Sequence, residues 1–491
     1  MSALRADPDR GQLAIVLHTH MPYVEGFGTW PFGEEWLWEA LTGVYLPLLD
    51  VLRDAPVTLS LTPVLCDQLE ALEGEAGERY LSFMREMRAP IHAEDARGLD
   101  SVGAHDAANE LRRAAADYRE GERRFTELRG RLLHELRELD RHSPVELWTS
   151  AATHSVLPLL ATDAGLGLQV STGIRSHERR FDEWSGGFWL PECAYRPGLE
   201  RDLAEHGVRA FCVDQTESLG LGSLDQLEPV RTEPGPVAVP IDWELTKLVW
   251  DSAGYPSAAL YRDYHGRTTH DLRPWDNGGE PYRHWQALVL ARRHAREFVA
   301  HAAGRLDAYR AERGRPGLLC CALDTELLGH WWYEGLRWLA FVLDEARLQG
   351  VPLGTLPDAL DRVEAVERPL AAASWGKPKD LTTWDSPRVA DIAFAARRAE
   401  LDTVAAAAAA TARDRGPALQ RAVRELLALQ ASDWAFQVTH DLAADYPRKR
   451  VESHARELDA ALAALKDSGA PPDPAVRNLA PDVDLAPLFA T

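Results

Sequence analysis

The hydrophobic positions of this chain form short apolar runs that are separated by longer amphipathic segments. Residues 13–17 form an apolar run with β-branched members and predict a buried strand, and residues 57–61 predict a second strand. Further runs follow at 145–148, 187–190, 210–213, 237–240 and 318–323. Helical periodicity lies between several of them. Because strands that alternate with helices favour a parallel sheet or barrel, the pattern predicts an α/β fold.

Two regions depart from this alternation. From about 72 to 142, helix formers and charged residues dominate, and apolar residues recur at helical spacing. After about 373 the chain becomes mostly helical again, with an alanine run at 405–410 and a helical segment at 417–430. We therefore expect a catalytic region over 1–373 with a helical insertion at about 72–142, and a C-terminal helical domain over 374–491. The Pro-rich residues 469–474 predict an irregular surface segment.

Polar residues collect directly after the predicted strands. In a parallel α/β barrel, the loops at the C-terminal ends of the strands share one mouth, where function gathers. We therefore expect a common site for the following residues: His18, His20, Thr153, His154, Glu192, Asp214, Asp242, Asp324 and Glu326.

Charge and cysteine content narrow the classes of partner and compartment. The chain of 491 residues has 76 acidic and 54 basic residues, a net charge of -22. Such an excess repels phosphates and anionic membranes, so neither nucleic acid nor a membrane is expected as a partner. Five cysteines without regular spacing, and a polar N-terminal segment, predict a reducing, cytoplasmic location.

Sixteen tryptophans point towards a carbohydrate substrate. Trp offers a flat apolar face and a polar edge, and the C–H faces of sugar rings stack on such surfaces. A large core would account for many of these residues. Several, however, stand in short motifs rich in His, Asp and Glu, such as Trp243 and Trp331.

Glu192 and Asp324 each follow an apolar strand and precede polar or aromatic residues. Glycoside hydrolysis with retention uses two carboxyl groups about 5–5.5 Å apart, one as nucleophile and one as general acid/base. A single carboxyl group in such a position would more simply be a buried, paired structural residue. Two of them on two strand ends predict a glycosidase-type site.

His18 and His20 lie at positions i and i+2 of a strand end, so their side chains point the same way. They could bind a metal with His154 or Asp324 as a third ligand, bind sugar hydroxyls, or simply pack. Asp242 and Trp243 precede a loop with Tyr255 at its tip, which could cover a bound sugar.

Taken together and in this order, the segments between 18 and 440 resemble glycoside hydrolase family 57. The resemblance implies an irregular (β/α)7 barrel with a helical insertion and a C-terminal α-helical domain. It also implies Glu192 as nucleophile, Asp324 as general acid/base, and no metal or other cofactor. Cys193 after Glu192, and the motifs at Trp375 and Trp434, resemble the branching-enzyme subgroup, in which a loop tyrosine favours transfer; that tyrosine corresponds to Tyr255.

The expected activity is that of a 1,4-α-glucan branching enzyme, with α-1,4-glucan as donor and acceptor; a homo-oligomer is left open. The alternatives are a 4-α-glucanotransferase or α-amylase on the same fold, a metal-dependent hydrolase or deacetylase using His18 and His20, and a glucan-binding protein. The residues expected to bind the glucan are His18, His20, Trp30, His154, Asp242, Trp243, Tyr255, Trp331, Trp375, Asp433 and Trp434.

Overall fold

A computed structural model describes residues 10–233, 235–410, 416–466 and 478–490. Nine strands form one sheet in the order β8-β1-β2-β3-β4-β5-β7-β6-β9. The strands are β1 (Gln12–Thr19), β2 (Thr58–Leu61), β3 (Glu146–Ser150), β4 (Gly187–Trp189), β5 (Ala210–Val213), β6 (Val230–Arg231), β7 (Val237–Pro240), β8 (Leu318–Asp324) and β9 (Val366–Glu367).

Seven of these strands are mutually parallel, from β8 through β1 to β7. A parallel contact between Ile241, directly after β7, and Cys320 of β8 joins the two ends of this series, and the Asp242 amide donates to the Cys320 carbonyl at 2.9 Å. The short β6 pairs antiparallel to β7, and β9 extends it. The predicted irregular (β/α)7 barrel is therefore confirmed.

β1 explains why the barrel strands read as continuous apolar runs. All eight of its residues are buried, because neighbours cover both faces. Its register pairs His18 with Ser60 of β2 and with Asp324 of β8. Residues near the C-terminal ends of three adjacent strands thus meet at one end of the barrel.

The helices of the first half of the chain fall into two groups. Before residue 72 they are α1 (Glu34–Ala40), α2 (Leu46–Leu52) and α3 (Pro63–Ala71). A π-helical turn, Leu41–Tyr45, joins α1 to α2. The predicted insertion range holds α4 (Glu75–Ser82), α5 (Ala89–Ser101), α6 (His105–Leu128) and α7 (Leu132–His142).

Helices then cover the remaining strands and form the C-terminal region. Those up to residue 373 are α8 (Asp163–Phe181), α9 (Leu199–Glu205), α10 (Thr216–Leu219), α11 (Trp243–Trp250), α12 (His284–Arg313), α13 (Gly335–Gln349) and α14 (Leu356–Leu360). The later ones are α15 (Ala390–Ala409), α16 (Pro417–Leu429), α17 (Ser432–Thr439) and α18 (Tyr446–Lys466). Residues 469–474 lie outside the described residues.

The C-terminal helices share a hydrophobic core with the barrel, which includes Val156, Leu168 and Trp434. A backbone contact pairs Ser155 with Ala431, and the Ser432 amide donates to the His154 carbonyl at 3.1 Å. The N-terminus of α17 is thereby held at the mouth of the barrel. None of the helices in the described ranges combines the length and apolar character that a membrane crossing requires.

Candidate active site

A cavity of about 1200 Å³ opens at the C-terminal ends of the barrel strands. Its walls come from three parts of the chain: barrel residues such as Glu192 and Asp324, Tyr118 from the predicted insertion, and Asp433 and Phe436 from α17. A cavity of this size and depth can enclose several sugar rings.

Glu192 lies in a tight turn directly after β4. Its φ is 60° and that of Cys193 is 47°, left-handed values that cost about 1–3 kcal/mol for residues other than glycine. The Trp375 amide donates to the Glu192 carbonyl at 2.6 Å, and the Ser432 hydroxyl donates to Oε1 at 3.2 Å. These contacts hold the carboxyl group towards the cavity, where its side chain retains 17% exposure.

Asp324 is the last residue of β8 and faces the same cavity. Burial raises its pKa to about 7, and the nearby His20 opposes the rise. Burial raises the pKa of Glu192 to about 8, with added repulsion from Asp324 and Asp433, while the Ser432 hydrogen bond lowers it. Burial thus raises the pKa of both carboxyl groups above the usual range, so that one of them can hold a proton while the other is ionised.

A chain of hydrogen bonds leads from the barrel interior to Glu192. Ser60 Oγ lies 3.4 Å from His18 Nδ1, His18 Nε2 lies 2.9 Å from His154 Nε2, and His154 Nδ1 lies 2.8 Å from Ser432 Oγ. Burial and repulsion from neighbouring histidines hold the pKa of both His18 and His154 well below the usual range, so both rings are neutral.

The tautomers of His18 and His154 follow from the role of Ser432, the last residue of this hydrogen-bond series before Glu192. When Ser432 gives its one proton to the Glu192 carboxylate, it must accept a proton from His154 Nδ1. His154 Nε2 is then an acceptor and takes the proton of His18 Nε2. Both rings therefore donate towards Glu192, and this series of hydrogen bonds favours the ionised form of the Glu192 carboxyl group.

His20 contacts the C-terminal region directly. Its Nε2 lies 3.0 and 3.1 Å from the two carboxylate oxygens of Asp433, and its Nδ1 lies 3.2 Å from Thr62 Oγ1. Its amide donates to Glu326 Oε1 at 3.2 Å. Burial raises the pKa of Glu326 to about 8. His20 is thus fixed at once by Glu326 after β8, by Thr62 directly before α3 and by Asp433 on α17.

His20, His154 and Asp433 place three potential metal ligand atoms within 4.8 Å of one another. The rings of His20 and His154 are stacked, with centroids 3.9 Å apart and 19° between their planes. Stacked imidazoles direct their in-plane lone pairs side by side, whereas tetrahedral zinc needs them to converge. All four ring nitrogens of the two histidines already have protein partners within 3.2 Å, so the arrangement suits a hydrogen-bonded cluster better than metal coordination.

Aromatic rings cover one side of the cavity. Trp375 meets Trp189 edge-to-face at 5.4 Å, Trp243 at 5.8 Å and Trp250 at 6.0 Å. We call these four residues the tryptophan wall. Elsewhere on the lining, Trp30 is 57% exposed and Trp331 is 44% exposed, so their faces are available for stacking on sugar rings.

Among the residues expected to bind the glucan, Asp242, Trp434 and Tyr255 do not line the cavity. Asp242 is fully buried, caps α11 through the Leu245 amide at 2.8 Å, and forms an ion pair with Arg305. The expectation for Asp242 is corrected, because its carboxylate satisfies a helix end inside the protein.

Trp434 and Tyr255 are corrected for a similar reason. Trp434 is fully buried, and its indole nitrogen donates to the Ala428 carbonyl at 2.8 Å. The Tyr255 ring stacks on His294 at 4.3 Å and packs next to Trp338. The Trp434 ring belongs to the core, the partly buried Tyr255 ring packs against it, and neither residue lines the cavity.

Other predicted residues do come together on the lining: His18, His20, Trp30, His154, Glu192, Trp243, Asp324, Trp331, Trp375 and Asp433. Sequence reasoning missed Lys379, Leu221 and Tyr264, which also line the cavity. Lys379 stands three residues beyond Gly376, and that closeness to a Trp-Gly motif was its one signal. Leu221 and Tyr264 carry no local pattern that marks them.

Comparison with known proteins agrees with this geometry. Residues 14–275 match a family model described as glycosyl hydrolase family 57, and residues 395–481 match one described as 1,4-alpha-glucan branching enzyme, C-terminal. A 1,4-alpha-glucan branching enzyme of Thermococcus kodakarensis is 32% identical, over 91% of this chain and 73% of that protein.

Two further relatives extend over almost the whole chain. A probable 1,4-alpha-glucan branching enzyme of Mycobacterium tuberculosis is 35% identical over 94% of both chains. The crystal structure of a GH57-type branching enzyme from Pyrococcus horikoshii superimposes with a TM-score of 0.91 at 30% identity, covering 98% of this chain and 97% of that one. The chain therefore belongs to glycosyl hydrolase family 57, as the order of its motifs predicted.

Proposed function

We propose that this protein is a 1,4-α-glucan branching enzyme that works by retaining double displacement. The observation that carries the proposal is the match of residues 395–481 to the branching-enzyme C-terminal model, since this region supplies Asp433 to the cavity and Ser432 to the Glu192 carboxyl group. The names of the relatives in Thermococcus, Mycobacterium and Pyrococcus support the same activity.

In the first step, the Glu192 carboxylate attacks the anomeric carbon of an α-1,4 linkage. Asp324 donates a proton to the glycosidic oxygen, the C–O bond breaks, and the released chain leaves with a free 4-hydroxyl. The product is a glycosyl ester on Glu192. Burial raises the pKa of Asp324 and so favours the protonated form that a general acid needs, while the Ser432 hydrogen bond favours the ionised form of Glu192.

In the second step, a 6-hydroxyl of an acceptor glucan attacks the same carbon. Its proton passes to Asp324, the ester bond to Glu192 breaks, and an α-1,6 branch forms. Two inversions retain the anomeric configuration. The expected separation of about 5–5.5 Å between the two carboxyl groups belongs to this proposal.

The proposed roles of the parts of the chain follow the predicted domain boundaries. Residues 1–373 carry the two carboxyl groups, the insertion at about 72–142 extends one wall of the cavity, and 374–491 completes the glucan groove. Five unpaired, buried cysteines support the proposal of a reducing, cytoplasmic location.

Linkage analysis tests the activity. The purified protein is incubated with linear amylose, the product is treated with a debranching enzyme, and chain lengths are measured before and after treatment. New α-1,6 linkages are expected, so debranching should shorten the chains. Products that are unchanged by debranching would contradict branching, and their lengths would identify the rival: rearranged linear chains for a 4-α-glucanotransferase, and short sugars for an α-amylase.

A further inference from the structure

Lys379 forms an unusual set of contacts at the base of the tryptophan wall. Its ammonium group makes an ion pair with Asp214, which directly follows β5 and is fully buried. The Lys379 side chain itself is only 11% exposed. A buried carboxylate that depends on one cation holds that cation in place, because losing it leaves an uncompensated charge.

The same ammonium group reaches two members of the tryptophan wall. It donates to the Trp375 carbonyl at 3.1 Å, and it lies 4.0 Å from the centroid of the Trp243 ring. The second contact has the geometry of a cation–π interaction. Lys379 therefore connects the end of β5, the Trp375 backbone and the Trp243 ring through one atom.

The segment that carries Lys379 is also attached to Glu192. The Trp375 amide donates to the Glu192 carbonyl at 2.6 Å, and the Lys379 amide donates to the Gly376 carbonyl at 2.6 Å. Ala373 and Tyr195 pair through their backbones on the other side of this contact. A shift of Lys379 would consequently move Trp375 relative to the carboxyl group that lies beside it.

From these contacts we propose that Lys379 is a positioning residue that decides whether water or a glucan hydroxyl accepts the glycosyl group. The inference rests on the proposed transferase function. By fixing Trp375 and Trp243, Lys379 keeps apolar rings against the glycosyl ester on Glu192 and excludes water from its anomeric carbon.

Hydrolysis of the glycosyl ester is the reaction that competes with chain transfer. When water reaches the ester, its oxygen bonds to the anomeric carbon, one proton passes to Asp324, and the bond to Glu192 breaks. A free reducing end results, and no chain is transferred. A loosened tryptophan wall favours this hydrolysis, because the acceptor loses its alignment while water needs none.

The test uses Lys379→Met in the full chain, together with the double variant Asp214→Asn/Lys379→Met, which removes both charges. The measured quantity is the ratio of free reducing ends to all transferred chains, α-1,4 or α-1,6, formed from amylose. We expect the ratio to rise roughly tenfold in both variants, since a displacement of about 1 Å can alter an oriented reaction about a hundredfold.

Arg180→Met is the matched control. Arg180 forms a buried ion pair with Asp67, with side chains 3% and 2% exposed, and neither residue lines the cavity. This variant should lower the melting temperature without changing the ratio. An equal rise in the control, or an unchanged ratio in both Lys379 variants, would overturn the inference.

The design separates this inference from the proposed function. If Lys379→Met fails to fold, the double variant supplies the same ratio without a buried unpaired charge. If the wild-type protein transfers chains without making α-1,6 linkages, the proposed branching activity is contradicted. The role of Lys379 can still be tested in that case, because the ratio counts transferred chains of either linkage. An unchanged ratio in variants of a branching wild-type protein contradicts the role of Lys379 alone.

Discussion

The Ser432 hydroxyl donates a hydrogen bond to Glu192 Oε1 at 3.2 Å, although 240 positions separate the two residues in sequence. Ser432 begins α17, and Glu192 follows β4. Burial and neighbouring carboxyl groups raise the pKa of Glu192, and this hydrogen bond opposes them. The C-terminal helices therefore take part in setting the ionisation of a barrel residue.

Replacing Ser432 with Ala should move the acidic limb of the pH profile of kcat/KM to higher pH. The variant removes a donor that lowers the pKa of Glu192, so the carboxylate forms only at higher pH. We expect a shift of about one pH unit, since a hydrogen bond to a charged group contributes about 1.5–3 kcal/mol. Ser432→Thr keeps the hydroxyl and should retain the wild-type limb. An identical acidic limb in Ser432→Ala would contradict this role.

Glu192→Gln should lower turnover by at least about a thousandfold without unfolding the protein, because no nucleophile remains. Glu192→Ala with added azide provides a sharper measurement. Azide can enter the vacated space and attack the anomeric carbon, and a single displacement gives a product of inverted configuration. A retained configuration, or substantial activity in Glu192→Gln, would remove Glu192 from the nucleophile role. Glu312→Gln, on the exposed end of α12, serves as the control.

Asp324→Asn should reduce turnover of amylose by about 10²–10⁴-fold, the usual contribution of general acid catalysis. A glucosyl donor with a fluoride leaving group needs no proton for departure. Formation of the glycosyl ester from such a donor should therefore be much less affected. Equal losses with amylose and with the fluoride would contradict the assignment of Asp324 as the acid.

Stability should fall with rising pH partly because of Glu192. Burial raises the pKa of this carboxyl group from 4.5 to about 8 in the folded protein. The folded state thus binds the proton more tightly, so its contribution is complete below about pH 4.5 and is lost as the pH rises through about 8. Glu192→Gln lacks this loss and should gain about 4 kcal/mol over wild type between pH 5 and 8.5. Urea unfolding at pH 5 and at pH 8.5 gives the free energy of unfolding of wild type and variant. The same change with pH in both proteins would contradict the prediction.

Trp30→Ala and Trp331→Ala should weaken the binding of long glucans, because each ring is exposed on the cavity lining. A loss of about 1 kcal/mol in stacking corresponds to a roughly fivefold higher KM for amylose. Trp285 is 67% exposed but does not line the cavity, so Trp285→Ala is the matched control. An equal rise of KM in Trp285→Ala would contradict the prediction, because the effect would then not depend on a position on the cavity lining.

Much of the barrel could be predicted because its strands carry a local pattern. Buried parallel strands read as apolar runs, and Glu192 and Asp324 were found because each directly follows one. The closing contact between Ile241 and Cys320 has no such signal, since it depends on strand order.

The wrong predictions concern side-chain direction. Asp242, Tyr255 and Trp434 belong to motifs with the right residue types, but a motif does not specify which of its members turns inwards. Asp242 caps a helix, and both rings pack in the core. Lys379 was missed for the complementary reason. Its importance comes from Asp214, which lies in a separate part of the sequence.

The hydrogen bond from Ser432 to Glu192 also has a consequence for protein synthesis. A ribosome makes the barrel strands, including both carboxyl groups, well before α17 emerges. Until then Glu192 lacks its donor and His20 lacks Asp433, so a nascent chain should carry both reactive groups without a competent site. Activity should appear only after α17 has left the ribosome, and fragments released before residue 432 should be inert towards α-glucan.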